Sequence, residues 1–218
     1  MRPGGTSLFL AAIVTLTAIS STGGRPATSR RPPAVKQRAT ATYGKLPLHF
    51  EANQGQTDDQ VKFLARGSGF ALFLTSTESV LVLRKAGEAP EVLRMRFLAA
   101  NPRPAIAGRK ELPGKSHYFI GNDPKKWRTD VPQYARVEYQ EIYPGVGLTY
   151  YGNQGQVEYD FVVSPGGDAS RIRLGIEGAD DIHVDAEGNL VLGLPGGEVV
   201  QKAPVVYQEL GGDRKSVV

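Results

Sequence analysis

Cysteine is absent from all 218 residues. That excludes disulfides, thiol nucleophiles and cysteine-ligated metals. It does not argue against export, because a domain of this size can be held by its core alone. Histidine is scarce: His49, His117 and His183 lie far apart, with no His-x-His or His-Glu-x-x-His spacing. No zinc site, and no metal site of any kind, is therefore predicted. No Gly-x-Ser-x-Gly elbow is present. Gly67-Ser68-Gly69 is followed by neither Lys-Ser/Thr nor a helical pattern, so it is no phosphate loop and no cofactor is expected. The apolar run from Leu8 to Ile19 stops well short of the roughly 20 residues a membrane-spanning helix needs.

Acidic residues are missing from residues 1–42, which hold Arg2, Arg25, Arg30, Arg31, Lys36 and Arg38. The net charge of +4 for the whole chain therefore leaves −2 on residues 43–218. The basic character belongs to the N-terminal region, and the remainder lacks the clustered basic face that nucleic acid selects. Nucleic acid is thus excluded as the expected partner.

What is present at the start reads as a secretory leader. Arg2 precedes the apolar run, and Ala18-Ile19-Ser20 supplies small residues for cleavage, so residues 1–20 are expected to be removed and the product to be secreted or held at the cell surface. No stable membrane span is expected after that cleavage. Residues 21–42, rich in Ser, Thr, Pro and Arg, cannot bury enough apolar surface to offset their ordering entropy and are expected to form a flexible basic linker.

Residues 43–218 read as one β-rich domain. Short runs of period two recur between turn signals: 61–65, 70–76, 79–85, 91–98, 117–121, 135–142, 146–152, 156–163, 171–178, 181–186, 189–194, 198–201 and 204–210. Pro144-Gly145, Pro165-Gly166-Gly167, Glu187-Gly188-Asn189 and Pro195-Gly196-Gly197 punctuate them. The expected class is all-β, an antiparallel sandwich-like domain of short strands and hairpins. Thr57 and Gln60 also suit a capping box, but Gly67 and Gly69 would stop a helix after two turns, which favours a strand at 58–65.

The tetrapeptide Asn-Gln-Gly-Gln occurs twice, at 53–56 and at 153–156. Their flanks differ, so an internal repeat is rejected. An even-numbered loop at the second copy puts Val146, Leu148, Tyr150, Val157, Tyr159 and Phe161 on one face and Glu158 and Asp160 on the other. With a loop at 152–155, Tyr150 is expected opposite Val157 and Leu148 opposite Tyr159. An odd loop mixes the faces. The second copy is therefore a hairpin turn.

Candidate site residues are few. Glu158 and Asp160 lie two apart on one predicted strand, about 7 Å along the backbone, a spacing that suits a glycosidase pair; a solvent-facing acidic stripe explains them as well. Asp180, Asp181, Asp185 and Glu187 lack the calcium-loop spacing. Trp127, the only tryptophan, stands among Lys125, Lys126 and Arg128, where it suits either a sugar platform or partner anchor, or a half-buried latch on its loop.

Three stretches carry a resemblance. "LPLHFEANQGQTDDQVKFLARGSGFALFLTSTESVLVL", "HYFIGNDPKKWRTDVPQYARVEYQEIYPGVGLTYYGNQGQVEYDFVVSPGGD" and "APVVYQELGG" are similar to the N-terminal domain of bacterial SBBP (beta-propeller repeat) proteins. The resemblance implies a β-rich module of unknown function, on secreted or cell-surface proteins, placed before propeller repeats. It implies no catalytic residues. The propeller repeats are missing from this sequence, and Arg214 to Val218 looks like the start of a further strand, so the domain is expected to be incomplete at its C-terminus.

The expected function is a non-catalytic structural or adhesive module, with a cell-surface glycan or an envelope protein as partner. The alternative is a carbohydrate-active enzyme using Glu158 and Asp160.

Overall fold

The structure, a computed structural model, describes residues 7–15, 48–153, 155–210 and 213–216. The expected cleavage region at Ala18-Ile19-Ser20, the expected linker at 21–42, Gly211-Gly212 and Val217-Val218 lie outside the described residues. The strands in chain order are β1 (Ser7–Thr15), β2 (Phe50–Ala52), β3 (Phe63–Gly67), β4 (Phe70–Leu74), β5 (Glu78–Leu83), β6 (Glu91–Phe97), β7 (Ala105–Tyr118) and β8 (Arg128–Tyr143). They continue as β9 (Val146–Asn153), β10 (Gln156–Val163), β11 (Leu174–Glu177), β12 (Asp181–Val184), β13 (Leu190–Leu194), β14 (Gly197–Gln201), β15 (Val205–Leu210) and β16 (Asp213–Ser216). Two 3-10 turns, at Pro124–Lys126 and Ala169–Arg171, are the only helical elements among the described residues.

The protein is all-β, as its turn-punctuated alternation predicts. Nine antiparallel strands in the order β11-β6-β5-β4-β3-β2-β8-β9-β10 form one curled sheet, a half-barrel, and β14-β13-β12 form a small second sheet. The curl has local causes. Register shifts interrupt β7–β8 and β8–β9, and Lys110, Asp130 and Glu141 adopt positive φ at or beside them. Such bulges bend a strand and increase its twist. The apolar segment Ser7–Thr15 is laid down as β1, antiparallel to both β10 and β15.

The concave face holds the core. Phe50, Leu74, Val137, Tyr139, Val146, Leu148, Tyr150, Tyr159 and Phe161 are all buried there. An aromatic chain crosses it: Phe97 meets Tyr139, Tyr139 meets Tyr150, Tyr150 meets Tyr159 and Tyr159 meets Phe161, with centroids 5.6 to 6.1 Å apart. Tyr139 and Tyr143 donate their hydroxyls to the carbonyls of Thr75 and Arg173 at 2.8 and 2.9 Å. The small sheet packs on the half-barrel through Leu192 and Val199 against Leu93, and Gly196 N–H donates to Glu91 Oε1 at 2.6 Å.

Three sequence expectations need correction. The hairpin faces are as predicted, with Val146, Leu148, Tyr150, Val157, Tyr159 and Phe161 all buried. Its pairing is shifted by two: Tyr150 faces Tyr159 and Leu148 faces Phe161, because the ladder runs on to Asn153 opposite Gln156. Alternation fixes loop parity but not loop length. The strand expected at 58–65 begins only at Phe63. Before it, the Asn53 amide bonds to the carbonyls of Asp58 and Val61 at 2.8 and 2.9 Å and holds residues 53–62 as a polar loop. The strand expected at 117–121 ends at Tyr118, and most of β7 went unread.

Candidate functional site

The loop between β7 and β8 carries exposed aromatic and aliphatic side chains. Phe119 is 63% exposed, Ile120 60% and Trp127 37%. The Phe119 and Trp127 rings meet edge to face at 5.2 Å, and His117 stacks on Phe119 at 6.2 Å. Lys125 and Lys126 stand exposed beside them. Clustered aromatic groups left in water rather than folded inward mark a contact surface.

This loop is tied at several points. The Trp127 indole N–H donates to the Gly121 carbonyl at 3.1 Å. Asp123 caps the 3-10 turn by accepting from Lys125 N–H at 3.0 Å, as its position before Pro124 suits. Arg128 Nε donates to the Gln54 carbonyl at 2.8 Å, which joins the loop to the first Asn-Gln-Gly-Gln segment. His117 Nδ1 accepts from Asp130 N–H at 3.2 Å.

A buried polar latch lies at the loop's base. Glu51 alternates with the core residue Phe50 and therefore faces outward from the core, yet it is only 6% exposed. The Tyr118 hydroxyl donates to it, and Arg66 Nη1 donates to that hydroxyl. Arg66 reaches Glu51 at 3.5 Å and lies over the Tyr118 ring at 5.4 Å, and His49 Nε2 stands 3.6 Å from the carboxylate. Burial pushes the Glu51 carboxyl up, but polar contacts with His49, Tyr118 and Ser116 and the Arg66 charge outweigh it and hold it below its ordinary value. Burial, with Glu51 beside it, pushes the Tyr118 phenol up. The latch ties β7 to β2 and β3 next to the exposed aromatics.

Trp127 latches its loop through its N–H, and its ring stays partly in water. Glu158 and Asp160 do share a face, but Glu158 is buried at 6% exposure rather than solvent-facing. It accepts from Asn153 Nδ2 at 2.9 Å, and Tyr151 donates to Asp160 Oδ1 at 2.9 Å. Both candidate carboxylates are thus engaged with hairpin residues, and the tyrosine that bridges toward them has its phenol pushed up by burial and by Asp160. His49, His117 and His183 lie apart, His183 pairing with Asp181 at 2.7 Å. Among the described residues no group of three His, Asp or Glu side chains forms a metal cluster. Asp185 accepts from Glu187 N–H, Asn189 N–H and the Asn189 amide at 2.7 to 3.0 Å, which makes the expected polar hairpin turn; those bonds hold its carboxyl low. Gly55 and Gly155 both take positive φ, so the repeated tetrapeptide is one turn chemistry used twice, in two unrelated settings.

The sequence pointed to Trp127 because it is the sole tryptophan. It missed Phe119 and Ile120, which were assigned to a strand, and it missed Glu51, whose partner Tyr118 is 67 positions away. The available signal was the alternation His49-Phe50-Glu51, which places Glu51 on the polar face.

No curated protein and no solved structure matches the chain. One family model does, over residues 50–218, and on that match the chain belongs to a family described as a domain of unknown function, DUF7948.

Proposed function

We propose that this chain is a non-catalytic, adhesive binding module of an exported bacterial protein, and that Phe119, Ile120 and Trp127 form its contact surface for a cell-surface glycan. The observation that carries this reading is three large apolar side chains exposed together on a loop fixed by Asp123, Arg128, the Trp127 N–H and the Glu51 latch. A pre-ordered aromatic platform binds with less ordering cost than a loop that must close on its ligand. Tryptophan and phenylalanine faces stack on the C–H faces of sugar rings, and Lys125 and Lys126 favour an acidic sugar.

The charged start and apolar run support export, and the similarity to N-terminal domains of SBBP proteins supports a surface position ahead of a propeller. A screen of the product that a bacterial host exports when it expresses the full chain, against immobilised glycans and envelope polymers, tests this. Saturable binding to a glycan, lost in Trp127→Ala, is the expected result. Capture of envelope protein alone, or no binding at all, would overturn it. N-terminal sequencing of the exported product should begin near Ser21.

A further inference from the structure

The half-barrel ends on one side at β10. This strand runs for 8 residues, pairs with β9 without a register shift, and holds neither lysine nor proline. An edge strand presents a row of unpaired N–H and C=O groups that can template another strand, so native edges are short, bulged or marked with lysine and proline. β11, at the other end of the half-barrel, is only 4 residues long. β7 carries Arg109, Lys110, Pro113 and Lys115. β10 has none of these protections, and its two carboxylates, Glu158 and Asp160, are engaged with Asn153 and Tyr151 of its own hairpin.

In the full chain this edge is filled. Ser7–Thr15 lies along it, antiparallel, from Leu8 opposite Val163 to Val14 opposite Val157. Leu8, Leu10, Ala12 and Val14 fall opposite Val163, Phe161, Tyr159 and Val157, all four of them buried. On its other side the same segment pairs with β15, from Ser7 opposite Glu209 to Ala11 opposite Val205. β10 and β15 therefore run parallel to each other, with one strand between them, two strand spacings or about 9–10 Å apart. Removal of residues 1–20, which the export reading expects, takes that strand away. Closing the gap directly would join β10 to β15 as a parallel pair in an otherwise antiparallel protein, and parallel pairing is the less stable per residue.

Residues 21–42 do not suit the gap. They hold Pro26, Pro32 and Pro33, five basic residues, and Val35 as their one large apolar residue. Residues 48–153 and 155–210 already have their own places in the fold. We propose that the exported product takes into this gap an extended apolar strand donated by a partner polypeptide, antiparallel to β10 and in the register that Ser7–Thr15 holds in the full chain. Main-chain bonds to the sheet edge supply affinity in this mode, and alternate side chains supply specificity. The donor is a segment of about seven residues or more, free of proline, with apolar residues at alternate positions and a small one opposite Tyr159, as Ala12 is. The proposal rests on the export reading for removal of residues 1–20 and is independent of the aromatic platform.

The probe is a synthetic peptide of residues 7–15, flanked by lysines for solubility. It is added to the product that a bacterial host exports when it expresses the full chain, after mass spectrometry has fixed where that product begins. A product beginning near Ser21 is expected to bind the peptide saturably at one site, with slowed exchange at those amides of Val157–Val163 that β9 does not bond. A peptide carrying Leu10→Pro and Ala11→Pro should bind at least about tenfold more weakly, because neighbouring N–H groups point to opposite edges and one of the two is lost toward β10. The full chain made without export, with residues 1–20 retained, has its edge filled and should not bind. A product that is unfolded alone and folds when peptide is added would support the proposal equally. No binding by a product shown to begin near Ser21, or equal binding by the full chain, would overturn it and leave export standing. Slow exchange along that edge of β10 with no peptide present would also overturn it, as the mark of an edge closed by the chain itself or by a second copy. A product that keeps Met1 would overturn it through the export reading instead.

Discussion

Trp127 donates its indole N–H to the Gly121 carbonyl at 3.1 Å, so the ring that presents the exposed platform also closes the loop that carries it. Trp127→Phe keeps an aromatic face and removes the bond. We expect glycan affinity to drop roughly fivefold in that variant, the worth of one hydrogen bond of about 1 kcal/mol, with faster amide exchange through residues 119–127. Trp127→Ala should lose binding altogether. Unchanged exchange in Trp127→Phe would show that the bond does not hold the loop.

The Glu51 latch gives a pH signature. Its carboxyl is held below its ordinary value of 4.5 in the folded chain, so the stability it contributes is fully present above that value. It is lost as pH falls through the lower folded value. Thermal unfolding of the wild type should therefore decline more steeply below about pH 4.5 than that of Glu51→Gln. Parallel acid profiles for the two would remove Glu51 from the account.

The β9–β10 hairpin separates a packing role from a polar one. Phe161→Ala empties a site that is 2% exposed and should cost about 3–5 kcal/mol. Glu158→Ala removes one part-buried hydrogen bond from the exposed Asn153 and should cost about 0.5–1.5 kcal/mol. Denaturant midpoints measure both. A larger loss for Glu158 than for Phe161 would place the core on the wrong face.

Gly178 follows β11, with φ of +94°, and a Cβ built there would lie 2.0 Å from the Val92 carbonyl oxygen. Gly87, with φ of +82°, has nothing within 4 Å of the same position. Both alanine variants bear the left-handed strain, about 1–2 kcal/mol. Gly178→Ala should be worse by roughly 1–3 kcal/mol, because backbone must move to admit the methyl. Equal melting temperatures would mean that β11 is not held against β6 as described.

Much of the strand pattern was legible because burial imposes alternation. Residues 146–163 put Val146, Leu148, Tyr150, Val157, Tyr159 and Phe161 on one face, and any even loop preserves that, so the faces were readable and the register was not. β7 was illegible for the opposite reason. Ala105–Tyr118 carries Arg109, Lys110, Glu111, Pro113 and Lys115 and buries none of its side chains, so it has no apolar period to read. It is a strand because β8 offers a ladder, and its charges and proline suit an exposed edge. The platform was half legible: a lone tryptophan draws notice, but Phe119 and Ile120 look like core residues until the chain is seen to leave the sheet at Tyr118. The Glu51 latch depends on contacts between distant strands, which no local pattern records.

We propose that a braced aromatic loop, and not the Glu158–Asp160 pair, makes this chain's functional contact. The most direct measurement is a set of binding isotherms for an immobilised acidic surface glycan with the wild type, the Phe119→Ala, Trp127→Ala double variant and the Glu158→Gln, Asp160→Asn double variant. We expect saturable binding by the wild type and by the carboxylate variant, and none by the aromatic variant. Binding that survives loss of both aromatic rings, or that vanishes with the two carboxylates while the fold is retained, would contradict the account.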